Sequence, residues 1–209
     1  MIYGYADLFL LSYILSSGLC FLVDIFLPKY RVNYCTQDIV IAEYKNMLPL
    51  CVLNSGIGYI YLDLIEYYFT DKENYNDNNL IENILLWFIL TDFIFYLTHR
   101  IFHLKCLYSF HSIHHEYNYT FGMGAIYAHP LDFLITNLAS LSLPILIFKI
   151  PYYHSCVLTI FATVYTTIIS HGGYDISLGE GHLMHHVKRT HNYGLLIFDR
   201  LLGTHASLK

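Results

Sequence analysis

The chain has 209 residues, of which 56% are hydrophobic and 13% charged. Soluble proteins carry about 25% charged residues, so the expected solvent here is a lipid bilayer. A formal net charge of −5 without any Lys/Arg cluster excludes nucleic acid as a partner, because phosphate binding needs a basic surface.

The first apolar run, Leu8 to Val23, continues through Ile25 to Leu27 and stops at Pro28, Lys29 and Arg31. It has neither the basic leader nor the small-residue cleavage site of a secretory signal, and is expected to stay in the mature protein. The second run, Met47 to Leu62, contains Pro49, Gly56 and Gly58, breakers that membrane helices tolerate. Residues 70–79, with Asp71, Lys72, Glu73, Asp77 and several Asn, read as a polar loop. The third run, Leu80 to Thr98, is interrupted by Glu82, Asn83 and Asp92; Phe133 to Phe148 and Pro151 to Ser170 are the fourth and fifth. Each approaches the roughly 20 residues that cross a bilayer. The expected fold is an all-α integral membrane helical bundle of about four spans, with a fifth left open. Residues 1–79 would form N-terminal membrane helices and the polar loop, and residues 80–209 a region carrying the chemistry. Five singly placed cysteines, Cys20, Cys35, Cys51, Cys106 and Cys156, read as reduced core residues.

Lys29 and Arg31 follow the first run, Arg100 and Lys105 the third, and Lys188, Arg189 and Arg200 the last. The positive-inside rule puts all of them on the cytoplasmic face and the loop at 70–79 opposite.

Thirteen histidines occur, none before position 99. Eight form three clusters: His99 and His103; His111, His114 and His115; His182, His185 and His186. Residues i, i+3 and i+4 share a helical face, so each cluster can aim its imidazoles at one place. Eight imidazoles exceed the four ligands of a tetrahedral zinc and suit two ions. Nitrogen donors with few carboxylates point to iron or another first-row transition metal. Asp92, two turns before His99, is a costly carboxylate in an apolar span. It could orient an imidazole through its free N–H, or pair with Arg100 or a buried hydroxyl. Bis-histidine haem would leave most of the set unexplained. The strings His-Glu-x-x-His, Gly-x-Ser-x-Gly and Gly-x-Gly-x-x-Gly are all absent, which argues against a zinc protease, a serine hydrolase and a built-in dinucleotide site. A structural zinc–histidine core without catalysis is the alternative from another class.

The run from Asp92 through His103 to Tyr108, with His111-Ser112-Ile113-His114-His115, resembles the first two histidine boxes of the fatty acid hydroxylase superfamily, which includes sterol desaturases. Phe121-Gly122, Ala125 to Asp132 and Ser170 to Asp175 are similar to the corresponding segments of C-4 methylsterol monooxygenases. The third box continues into Asn192-Tyr193-Gly194 and Phe198 to Thr204, similar to the superfamily's C-terminal signature. The segment between His171 and His182, ten residues, is shorter than methylsterol monooxygenases usually carry.

This resemblance implies a non-haem di-iron centre, O2, and electrons from NAD(P)H through a reductase and a cytochrome b5-type donor. It implies oxidation of a C-4 methyl group of a sterol, or hydroxylation or desaturation of another lipid. It also implies residence in the endoplasmic reticulum with the site facing the cytoplasm. Metal ligands would be His99, His103, His111, His114, His115, His182, His185 and His186, with His171 the best addition. Asp92, His129, Asp132, Asp175 and Asn192 are candidates for the surrounding shell that orients them; for His129 packing, and for Asn192 capping of a turn, are the alternatives.

Overall fold

The computed structural model describes residues 4–69, 79–117, 120–174, 180–195 and 197–206. The polar loop expected at 70–79, except Asn79, and Asp175 lie outside the described residues.

Five helices among the described residues are long and apolar enough to cross a membrane: α1 (Tyr5–Phe26), α2 (Gln37–Phe69), α3 (Leu80–Phe102), α5 (Pro130–Ile147) and α6 (Tyr152–Ser170). All five apolar runs are therefore helical, and the span left open by the sequence is present. Short helices α4 (Tyr108–His111), α7 (Glu180–Lys188) and α8 (Ile197–Leu201) follow α3 or α6, and a 3-10 segment covers Gly122–Ile126. The outward faces of the long helices are apolar, with Leu15, Leu22, Ile60 and Leu85 each more than half exposed. Exposed apolar surface on that scale marks contact with lipid.

Polar contacts fix which helix ends lie together. At one end Glu66, late in α2, accepts a hydrogen bond from the Tyr5 N–H at the start of α1 (2.6 Å) and from the Tyr152 hydroxyl at the start of α6 (3.3 Å). At the other end Arg31 donates to Asp24 at the end of α1 (2.7 Å), to the Thr120 carbonyl (2.7 Å) and to the Gly172 carbonyl just past α6 (3.2 Å). The spans thus alternate in direction, and the C-termini of α1, α3 and α6 emerge together with the N-termini of α2 and α5. Every histidine cluster sits at that end.

Helices α1 and α2 approach closely at Gly58, where a Cβ would stand 2.7 Å from the Phe9 ring. Asn54 of α2 donates to the carbonyls of Ile126 (2.7 Å) and Ala128 (2.8 Å), and the Tyr13 hydroxyl of α1 to that of Met123 (2.9 Å). The N-terminal helices thereby hold the segment that leads into α5, and one apolar core runs from Tyr5 and Phe9 to Phe133 and Leu158. The five cysteines are free thiols, and four are buried as expected; Cys106 is exposed, beyond the end of α3, and is not a core residue.

Two stretches of wide helix interrupt the spans, Phe133–Leu138 in α5 and Tyr165–Ser170 in α6. Such π turns cluster at functional sites because they turn side chains and carbonyls out of the regular ladder. Here both abut the histidines.

Candidate metal centre

His99 lies in the last turn of α3 and His103 caps it. The second cluster is not a continuous helix: His111 closes α4, and His114 and His115 sit in turns held by His114 N–H to His111 carbonyl (3.0 Å) and Glu116 N–H to Ile113 carbonyl (3.1 Å). The third cluster is helical on α7. Together with His171, at the end of α6, these side chains form two groups. One contains His99, His103, His111, His115 and His185; the other His114, His171, His182 and His186. Within each group the nitrogens lie within 4.8 Å of one another, and all nine residues are buried except the half-buried His103. The groups abut, with the His115 and His186 rings 4.8 Å apart.

The facing atoms are Nε2 throughout. In the first group the His99–His111, His103–His185 and His115–His185 separations are each 3.0 Å, and His103–His115 is 3.3 Å. In the second, His171 stands 3.4 Å from His114 and 3.1 Å from His182, which is 3.2 Å from His186. In five of the rings the opposite nitrogen is committed elsewhere, whereas Nδ1 of His115 and His186 is buried without a partner. Nδ1 of His99 donates to the Tyr193 carbonyl (2.7 Å), of His114 to Tyr127 (3.1 Å), of His171 to Thr166 (2.9 Å) and of His185 to His191 (2.6 Å). His111 Nδ1 donates to the Asp132 carboxylate (2.7 Å).

A carbonyl or an ionised carboxylate only accepts, so each of these five rings carries a proton on Nδ1, and a neutral ring of this kind has a bare lone pair on Nε2. His114 faces His171, lone pair to lone pair. Such a contact repels unless a cation lies between the two rings. Imidazolium formation is opposed, because burial holds His171 down to about 4 and His103 down to about 3, and pushes His114, His115, His182, His185 and His186 further below the usual histidine range. Ligands about 2.1 Å from a metal stand about 3.0 Å apart along an octahedral edge and about 3.4 Å along a tetrahedral one. Both groups have spacings in that interval, so the residues fit transition-metal ions.

The surrounding shell is mostly backbone. Asp132 is held by the Thr136 hydroxyl (2.8 Å) while it orients His111. Asp92 accepts from the N–H groups of Leu195 (2.6 Å), Ile197 (2.6 Å) and Phe198 (3.3 Å). Asp199 accepts from those of Tyr193 (2.8 Å) and Gly194 (2.6 Å). These two carboxylates pin the turn that presents the Tyr193 carbonyl to His99. Gly194 is needed there, since a Cβ would stand 2.6 Å from Asp92. Asn192, in the left-handed region, is paired through both amide atoms with Ala206 and closes the same turn. His129 accepts from the Leu131 N–H at the start of α5 (3.1 Å) and packs on Phe110. His154 bonds Asn83 (3.1 Å) at the other end of the bundle. The carbonyl acceptors leave no trace in a sequence, because any residue type has a carbonyl. Asp199 was visible only as part of a signature.

Asp132→Asn removes the charge behind His111 and is expected to weaken metal binding about 10- to 100-fold, as measured by competition with a chelator. Unchanged affinity would show that His111 needs no such support.

A narrow space lined by His99, His111, His114, His171 and His182 shares Phe95, Asn137, Thr166 and Leu195 with a larger neighbouring cavity between the helices. That cavity has a volume of about 80 Å³, is partly open, and is walled by Phe9, Trp87, Phe133, Leu141 and Phe161.

A sequence model described as fatty acid hydroxylase matches residues 84–204. Methylsterol monooxygenase 2-1 of Arabidopsis thaliana is 41% identical over 92 residues, 44% of this chain and 33% of that protein. Very-long-chain aldehyde decarbonylase GL1-11 of Oryza sativa subsp. japonica is 38% identical over 96 residues, 46% of this chain and 35% of that protein. Fatty acid hydroxylase ahd1 of Mycosarcoma maydis is 28% identical over 216 residues, 94% of this chain and 55% of that protein. The chain thus spans about a third of the length of the first two relatives and about half of the third. No solved structure matches it.

Proposed function

Because this chain belongs to the fatty acid hydroxylase family, we propose that it is a membrane-bound non-haem di-iron oxygenase acting on a lipid, with C-4 methylsterols as the leading substrates. The observation that carries this reading is the pair of histidine groups whose Nε2 atoms face one another beside an apolar cavity. Two irons bound there would supply oxygen activation for attack on an unactivated C–H bond. Their ligands would be the nine converging histidines, His99, His103, His111, His115 and His185 for one ion and His114, His171, His182 and His186 for the other.

The chain's own residues divide the remaining work. Nδ1 bonds to Tyr193, Tyr127, Thr166, His191 and Asp132 hold five rings in one tautomer and one orientation. The aromatic wall of the cavity excludes water and accepts an apolar substrate from within the bilayer. Placing the site where the spans end gives a donor at the aqueous face short access to the metals. Electrons would come from NAD(P)H through a reductase and a cytochrome b5-type donor, on the cytoplasmic side of the endoplasmic reticulum. The 41% identity to an Arabidopsis methylsterol monooxygenase supports the sterol reading.

A second reading, hydroxylation of a straight-chain lipid, is favoured by the match to the Mycosarcoma fatty acid hydroxylase over 94% of the chain. Lipid profiling of cells that lack their own C-4 methyl oxidase tests both. Expression of the chain is expected to deplete accumulated 4-methylsterols. New hydroxylated acyl chains with unchanged sterols would select the second reading, and an unchanged lipid profile would remove both.

A further inference from the structure

Resting on the lipid-oxygenase reading, we propose that the hydroxyls of Thr91 and Thr167 form a polar anchor inside the apolar cavity, which takes a neutral oxygen group of the substrate and rejects a carboxylate. Both residues line the cavity. Both are buried, at 7% and 0% exposure, and neither hydroxyl has a hydrogen-bond partner. This is unlike the neighbouring hydroxyls. Thr163 and Thr166 donate to carbonyls four residues back, at 2.8 and 2.9 Å, and the Asn137 amide donates to the Ala125 carbonyl at 3.2 Å.

A buried hydroxyl left unpaired is costly, and in a native protein it calls for an occupant. Two of them in one apolar chamber specify what that occupant carries. A hydroxyl both donates and accepts, so it matches an alcohol, aldehyde or ketone oxygen. A carboxylate would need a cation, and no Lys, Arg or His is among the described residues lining this cavity. Burial of an unpaired charge there would be prohibitive. Thr167 lies about one turn before His171, and Thr91 two turns, about 12 Å, before His99. An oxygen held at either threonine therefore fixes the depth of the lipid and selects which carbon reaches the histidines.

Trp87 is the chain's single tryptophan and lines the same cavity, so its fluorescence reports ligand entry directly, without turnover. The test titrates the purified full chain in lipid nanodiscs with matched probes: cholesterol against cholest-5-ene, and octadecan-1-ol against octadecane and stearate. At least one alcohol is expected to bind tenfold or more tighter than its hydrocarbon, and stearate no tighter than octadecane. The pair that shows the preference identifies whether the oxygen belongs to a sterol or to a chain. In the double variant Thr91→Val/Thr167→Val the preference should vanish with no loss of thermal stability, since no internal bond is removed. Thr91→Ser/Thr167→Ser should restore it.

A preference that survives in the valine variant, or no preference for either alcohol, or stearate binding as tightly as octadecan-1-ol, would overturn the anchor. Metal analysis of the same preparations separates this from the functional reading. A protein that oxidises lipid with both ions bound but shows no alcohol preference overturns the anchor alone. Alcohol preference in a protein that takes up no metal supports the anchor and overturns the oxygenase.

Discussion

His114→Ala is expected to reduce the bound metal from two ions to one and to abolish lipid oxidation. His114 is one of only four imidazoles in its group, and its Nε2 faces that of His171 across 3.4 Å. If four ligands together contribute about 10–16 kcal/mol, each accounts for about 3 kcal/mol, so its loss weakens that ion's binding on the order of 100-fold. The neighbouring group has five members, and removal of the half-buried His103 still leaves four. His103→Ala should therefore retain both ions at saturating metal and lose less activity. Elemental analysis of the two purified variants, run beside oxidation assays, reads both outcomes. Full metal content in His114→Ala would remove this residue from the ligand set.

Arg31→Ala is expected to destabilise the folded protein by about 3–5 kcal/mol, the cost of stranding one partner of a buried ion pair. The Arg31 and Asp24 side chains are 1% and 0% exposed, and 2.7 Å apart. Without the guanidinium, Asp24 would keep only neutral donors, the hydroxyls of Tyr174 (3.1 Å) and Tyr44 (3.3 Å). The carbonyls of Thr120 and Gly172 would lose their donor at the same time. Gly172 directly follows His171, so the four-histidine group should loosen and release its ion more readily. Denaturant unfolding in detergent measures the first effect, and chelator-induced metal release the second. A variant within about 1 kcal/mol of the parent would show that the pair is not a keystone.

Asp24 and Asp92 are carboxylates inside apolar runs, and the same physical rule applies to both. Of the two, only Asp92 lies near a histidine cluster in the sequence. Its hydrogen bonds to Leu195, Ile197 and Phe198 place it one step back from the imidazoles, supporting the turn that carries the Tyr193 carbonyl. The partner of Asp24 is seven residues on in sequence, but Arg31 read as an inside-facing surface charge. Its burial depends on Thr120 and Gly172, which are distant in the chain. The spans were legible because apolar length alone determines them. The Nδ1 acceptors were not, because four of the five are backbone carbonyls with no residue preference.

The sequence by itself determined that imidazoles gather where the spans end; it pointed each cluster at one place, whereas the structure divides both triplets between two groups. On a helix of 3.6 residues per turn, residues i and i+4 differ by about 40° and residues i+3 and i+4 by about 100°, which accounts for the division on α7; at His111, His114 and His115 the turns that follow α4 set it. Each i, i+4 pair falls within one group: His99 with His103, His111 with His115, and His182 with His186, while His114 and His185 turn to the other. Only the tertiary structure decided that the pair on α7 lies opposite the other two pairs, and that His171 from the wide turn ending α6 completes the group of four. Those choices follow from how separate helices dock, which depends on contacts such as Arg31 with Gly172 and Asp92 with Leu195 that join residues more than a hundred positions apart. Local periodicity carries no information at that range.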